Sequence, residues 1–253
     1  MIFLATEILS CHQAYVWYLF HSSFAVKTKN YFIIFDYYMD TPSKEPRCLQ
    51  TGVIQPAEIQ DDNVVVFSSH NHFDHFNPVI FNWRNKIKNI HYILSSDIRP
   101  EQHASDILLV NEGNHYTVDD MHIEVLGSTD VGVSFLVNVD GLTIFHSGDL
   151  NWWHWKDAGQ SENQQMEINY KKQINLLKDK KIDLAFIPVD PRLEEFYKLS
   201  LDYFIKTVDA SMVFPMHFGN DYSIFEQLKQ NISVTNYYKK IVEISHRGEQ
   251  FMY

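Results

Sequence analysis

The sequence predicts one α/β domain over residues 1–253, on three observations. The 253 residues suffice for one large core, and no Pro/Gly/Ser-rich linker or charge run divides them. Strand-like apolar runs fill the first half, and strands alternate with helix-spaced segments in the second. Every candidate ligand side chain follows a strand, in the loops where the sites of α/β proteins collect.

The opening stretch, MIFLATEILSCHQAYVWYLF, is apolar. Its first basic residue is Lys27, and Glu7, His12 and Gln13 interrupt the run, so neither an export signal nor a spanning helix is expected. It reads as an opening strand pair. AYVWYLF, FAVKT and YFIIFD read as strands, parted by turns at His21-Ser22-Ser23 and Lys29-Asn30. Asp36 ends the last of these, where a carboxylate can orient metal-bound histidines from behind or simply be solvated. Residues 40–62, with prolines and mixed charge, read as a surface loop.

The chain is organised around Asn63 to Phe76, NVVVFSSHNHFDHF. Val64, Val65, Val66 and Phe67 suit a strand buried on both faces. His70, His72, Asp74 and His75 follow at once. The first two can point to one side of an extended backbone, and the second two can face another point nearby. Imidazole and carboxylate suit zinc, iron or manganese, and no thiolate stands near.

Asn77-Pro78 is a helix start, and FNWRNKIKNI continues it with Ile80, Phe81, Ile87 and Ile90 as its apolar positions. HYILSS, ILLV, HYTV, MHIEVLG and VSFLVNV read as strands, the last ending in an Asp140-Gly141 hairpin turn. The strand LTIF runs into His146-Ser147-Gly148-Asp149, whose glycine lets the carboxylate turn back toward a site. Trp152, Trp153 and Trp155 follow too closely for one buried helix face, as a core plug or a lid over substrate.

Residues 161–180 are amphipathic through Met166, Tyr170, Ile174 and Leu177, as in a covering helix. IDLAFIPV is a strand ending at Asp190-Pro191-Arg192, which can form a local salt bridge or meet an anionic substrate. Ser200 caps a further helix. SMVFPM then leads into His217, another strand-end ligand position, and a last helix.

A net charge of −11 argues against a general nucleic-acid surface, because clustered Lys and Arg supply phosphate affinity. Small-molecule substrates fit better. The 5 Trp, 14 Tyr and 18 Phe suit a well-filled core. Two cysteines make no disulfide framework, so a reduced cytoplasmic setting is expected.

HNHFDH (His70 to His75), HSGD (Asp149), PMHFG (His217) and FD (Asp36) resemble, in order and spacing, motifs of the metallo-β-lactamase-fold hydrolases. FHSSF, IFHSGD and PVDPR are similar to the branch containing ascorbate-6-phosphate lactonase and N-acyl-phosphatidylethanolamine phospholipase D. The resemblance implies an αββα sandwich of two mixed sheets with helices outside. It implies one metal on His70 and His72, a second on Asp74, His75 and His217, and Asp149 bridging them, with Zn²⁺ expected and Mn²⁺ or iron also accepted. It further implies hydrolysis by metal-activated water, with Asp74 as the catalytic carboxylate. A departure stands at the third motif. Where the family has a histidine, this chain has Gly127-Ser128-Thr129-Asp130-Val131-Gly132, so either Asp130 supplies a carboxylate or nothing replaces it. Trp152, Trp153, Asp190 and Arg192 are expected at the substrate pocket. A phosphodiesterase or nuclease, and a non-hydrolytic sensor or redox protein on the same scaffold, are the alternatives.

Overall fold

Runs of alternating large apolar residues build the strands of a computed structural model that describes residues 13–100, 104–232 and 238–253. They are β1 (Tyr15–Phe20), β2 (Ser23–Lys27), β3 (Tyr31–Phe35), β4 (Asn63–Ser68), β5 (Asn89–Ser95), β6 (Ile107–Val110) and β7 (His115–Val118). After them come β8 (Met121–Gly127), β9 (Val133–Val139), β10 (Leu142–His146), β11 (Lys181–Pro188), β12 (Asp209–Met216) and β13 (Gln250–Met252). The helices are α1 (Gln160–Asn175), α2 (Leu199–Thr207) and α3 (Ile224–Ile232).

The strands form two mixed sheets, ordered β13-β1-β2-β3-β4-β5-β6 and β12-β11-β10-β9-β8-β7. In the first, β3 to β6 run parallel and β13 to β3 antiparallel. In the second, β10 to β12 are parallel and β7 to β10 antiparallel. The period of two sorts β4 between two cores. Val65 and Phe67 join the core between the sheets, whereas Val64 and Val66 join a second core under Ile80 and Trp83. Both faces are therefore buried, as parallel pairing on both edges requires. Phe204 of α2 stacks on Phe145 of β10 at 5.8 Å, covering the second sheet from outside.

Asp140 and Gly141 make the expected two-residue hairpin, both with positive φ, 52° and 81°. Several expectations are corrected. The segment after Asn77 is a 3₁₀ helix, Pro78–Asn85, in which the Asn77 side chain accepts from the Val79 amide at 3.0 Å. It stops early because Ile90 is claimed by β5, pairing with Val64. Ser200 lies inside the first turn of α2 and bonds the Asn151 side chain instead of capping. Residues 40–62 are only partly superficial, since Val53 and Ile54 are buried. The proposed strand pair at the N-terminus falls largely on residues 1–12, outside those described. Among the described residues no helix is long and apolar enough to cross a membrane.

Candidate metal centre

The ends of β3, β4, β10 and β12 and the β1–β2 turn meet at one edge of the sandwich. Three non-glycine residues there adopt left-handed φ: His21 (57°), Asp36 (47°) and His217 (66°). Such backbone is costly and persists only where surroundings fix it. The Asp36 amide donates to Phe67 O at 2.9 Å, and the His217 amide to His21 O at 3.1 Å.

The side chains converge in two groups, His70, His72 and Asp149, and His21, Asp74, His75 and His217, with ligand atoms within 4.8 Å of one another in each. Asp149 faces both groups. Its Oδ2 lies 3.5 Å from His70 Nε2, and its Oδ1 lies 3.1 Å from His75 Nε2 and 3.2 Å from His217 Nε2. His70 Nε2 and His72 Nδ1 stand 3.0 Å apart. Yet His75 Nε2, His217 Nε2 and Asp149 Oδ1 are buried without a hydrogen-bond partner. An unsatisfied buried polar atom costs about 1–3 kcal/mol, and several aimed at one spot fit a cation.

The far side of each ring decides which nitrogen is free. His75 Nδ1 faces Asp36 Oδ2 at 2.7 Å and His217 Nδ1 faces Asp190 Oδ2 at 3.0 Å, so both rings donate from Nδ1 and keep a lone pair on Nε2. Ser69 Oγ donates to Asp36 Oδ2 at 2.7 Å and therefore accepts from His70 Nδ1 at 2.9 Å, which frees His70 Nε2 as well. His21 is the opposite case. Its Nδ1 accepts from the Gly219 amide at 3.2 Å, so the neutral ring carries its proton on Nε2, 3.6 Å from Asp74 Oδ2.

Charge follows the same map. Burial works against a second proton on His75, but Asp149 and Asp36 outweigh it and raise its pKa to about 10, so the Nε2 lone pair is available to a cation that displaces that proton. Burial would raise Asp149, yet His75 and His217 hold it well below the usual carboxylate range. Burial takes His21 down to about 4, against Asp74, leaving it neutral at pH 7.

A family model described as a beta-lactamase superfamily domain matches residues 15–217. The chain belongs to the metallo-β-lactamase superfamily. Among solved structures it is similar to Igni18, a metallo hydrolase of the archaeon Ignicoccus hospitalis, with 16% identity over 95% of this chain and 98% of that one, at a TM-score of 0.66. A Parabacteroides distasonis protein, described only provisionally as a metal-dependent hydrolase, shares 15% identity over 93% of each chain, TM-score 0.61. CmlA, a diiron β-hydroxylase of Streptomyces venezuelae, shares 9% over 96% of this chain and 54% of that one, TM-score 0.56. Likenesses this distant show the fold alone. A comparison with curated proteins finds no match.

In this metallo-β-lactamase chain all six predicted ligands, His70, His72, Asp74, His75, Asp149 and His217, stand together. Asp36 lies behind them, against His75 Nδ1. Asp130 does not join them. It is exposed on a turn whose amide bonds Ser128 Oγ, and it lines the cavity instead. That turn is pressed onto the backbone leading into His70 through Gly132 (φ 83°), where a Cβ would sit 2.1 Å from Ser69 O.

The cavity over the site holds about 510 Å³ and is bounded by Phe73, Trp153, Trp155, Met166 and Arg192, among others. Trp153 is its inner wall, its indole N–H donating to Asp149 O at 3.2 Å and its ring 5.5 Å from His217. Trp152 is turned away. It packs between Tyr170 and Tyr203, with Lys171 Nζ 4.7 Å from its ring centre, because Ser200 Oγ anchors its amide at 2.7 Å. Asp190 is buried behind His217 and clamps Arg192 through Nε at 3.0 and 2.9 Å. It thus acts through both neighbours without lining the cavity. A second cavity of about 400 Å³ beside Phe76, Arg84 and Arg99 contains none of these groups. His21 is the residue missed in the sequence. Its one signal is its position, a histidine on a strand turn like the other strand-end candidates.

Proposed function

We propose that this chain is a metal-dependent hydrolase acting on a small ester, lactone, amide or phosphoester. The observation that carries this reading is the Asp149 carboxylate, with one oxygen toward His70 and the other toward His75 and His217. His70, His72 and Asp149 would hold one ion, and Asp74, His75, His217 and Asp149 the second. Zinc is the ion we assign, since imidazole and carboxylate without thiolate suit it. Bound divalent ions would supply Lewis acidity and activate water at neutral pH.

Asp74 is the catalytic carboxylate of this reading. Burial would raise it, but His21 and His75 hold it low, so it is ionised at neutral pH and orients water by accepting a hydrogen bond. His21 Nε2–H faces its Oδ2 and steadies it. Trp153 and Met166 restrict water on the cavity side. The second ligand set is the fuller one, so the His70/His72 ion should leave first on mild chelation. The lactonase-like branch rests only on FHSSF, IFHSGD and PVDPR. A cytoplasmic setting rests on cysteine usage, with Cys48 free.

The test is a panel of p-nitrophenyl esters, lactones, amides and bis-p-nitrophenyl phosphate with zinc-loaded protein. Chelator-sensitive turnover that falls at least about 100-fold in Asp74→Asn, with metal retained, is expected. Full turnover in that variant removes Asp74 from its role. No turnover across the panel at full loading favours a sensor or redox protein instead, and cleavage of RNA alone favours a nuclease.

A further inference from the structure

We propose that the substrate carries an apolar alkyl or aryl substituent, seated on a rim formed by Phe73 and Trp155. The proposal rests on reading the cavity as a hydrolytic site. Six large apolar side chains are exposed among the described residues: Phe73 (84%), Val131 (42%), Trp155 (39%), Ile168, Leu176 and Met252. Three of them stand on the loops that build the site. Phe73 lies between His72 and Asp74, Val131 adjoins Asp130, and Trp155 follows Asp149 on the tryptophan segment. Phe73 and Trp155 both line the cavity, and exposed apolar rings gathered at one cavity mark a binding surface.

Phe73 is held outward. It projects from a turn whose backbone is fixed by the His75 and Phe76 amides, which both donate to His72 O at 3.1 Å. Trp155 continues the apolar path inward. Its ring lies parallel to that of Trp153, at 3° and 6.1 Å between centres, and Trp153 in turn meets His217. The two indoles and Met166 thus form a ramp from the ligand residues to solvent.

Charge does not compete with this surface in choosing a substrate. The mouth carries Asp130 and Glu162 against Arg192, whose guanidinium is already committed to Asp190. Mixed signs select no charge class, which leaves apolar area as the selective feature. A cavity of about 510 Å³ is of ordinary size for a small-molecule site.

The test uses zinc-loaded protein and p-nitrophenyl esters from acetate to octanoate, with phenylacetate as the aryl arm. On a rim open to water, kcat/KM should rise about twofold per methylene, half or less of the full-burial effect, and so about 60-fold across the series. In the Phe73→Ser, Trp155→Ala double variant the octanoate-to-acetate ratio should fall below about 5 at unchanged metal content. Binding of octanoate against acetate, measured by calorimetry on the same loaded protein, needs no turnover and should favour octanoate at least about tenfold. Ester turnover that ignores chain length, in wild type and variant alike, overturns the rim and leaves the hydrolase standing. No turnover, with octanoate binding lost in the double variant, sinks the hydrolase and keeps the rim. Equal binding of octanoate and acetate also overturns it.

Discussion

His75 Nδ1 and Asp36 Oδ2 stand 2.7 Å apart, both fully buried, and the same oxygen accepts from Ser69 Oγ at 2.7 Å. One carboxylate therefore sets the tautomers of two imidazoles, His75 directly and His70 through Ser69. Asp36→Asn puts an amide in its place and removes the charge that keeps the proton on Nδ1. Zinc affinity measured by chelator competition should fall about 10- to 100-fold. Unchanged affinity would mean Asp36 only fills space.

His21 faces the site with a nitrogen whose proton is held by the Gly219 contact on the other side. His21→Ala should therefore keep the full metal equivalents by elemental analysis while loosening Asp74. Turnover of whichever panel substrate is cleaved should drop about tenfold. Loss of one equivalent would make His21 a ligand.

Gly132 and Gly141 separate crowding from backbone strain. Both have left-handed φ, 83° and 81°, but a Cβ meets Ser69 O at 2.1 Å in the first case and nothing within 4 Å in the second. Gly141→Ala should cost about 1 kcal/mol and Gly132→Ala about 3 kcal/mol or more by chemical denaturation. Equal losses would show that the third-motif turn can shift away from the ligand loop.

Two turns legible in the sequence meet in space. Asp140 accepts from Thr28 Oγ1 at 2.6 Å, from the Asn30 amide at 2.8 Å and from Asn30 Nδ2 at 2.6 Å, tying one sheet to the other. Burial would raise its pKa, but the Thr28 and Asn30 bonds outweigh it and lower it. A lowered carboxylate stabilises the fold above its unfolded pKa of about 3.9, and that stability is lost as pH falls through the folded value. Asp140→Ala should cost about 1 kcal/mol at pH 7, with the difference from wild type closing at acid pH. A gap independent of pH would show that hydrogen-bond geometry, without the charge, is what matters.

The six candidate ligand residues and Asp36 were legible because each follows closely on a strand whose apolar run is local. The sandwich of two mixed sheets came from motif resemblance, and the structure agrees with it. Pairing decided the rest. β13 is three residues without a pattern, recognisable only through its contacts with Tyr15, Val16 and Trp17. His21 becomes part of the site only when β1 and β2 bring their turn against His217. Trp152 and Trp153 are neighbours in sequence, and the Ser200 hydroxyl, far along the chain, decides which of them faces the cavity.

The central claim is a two-ion centre shared through Asp149. Elemental analysis of protein purified without added metal, then reconstituted with zinc and desalted, tests it most directly. Two equivalents per chain are predicted, falling to one in His217→Ala and in His72→Ala, and below one in Asp149→Ala. A reconstituted wild-type protein that holds one equivalent or none would contradict the claim.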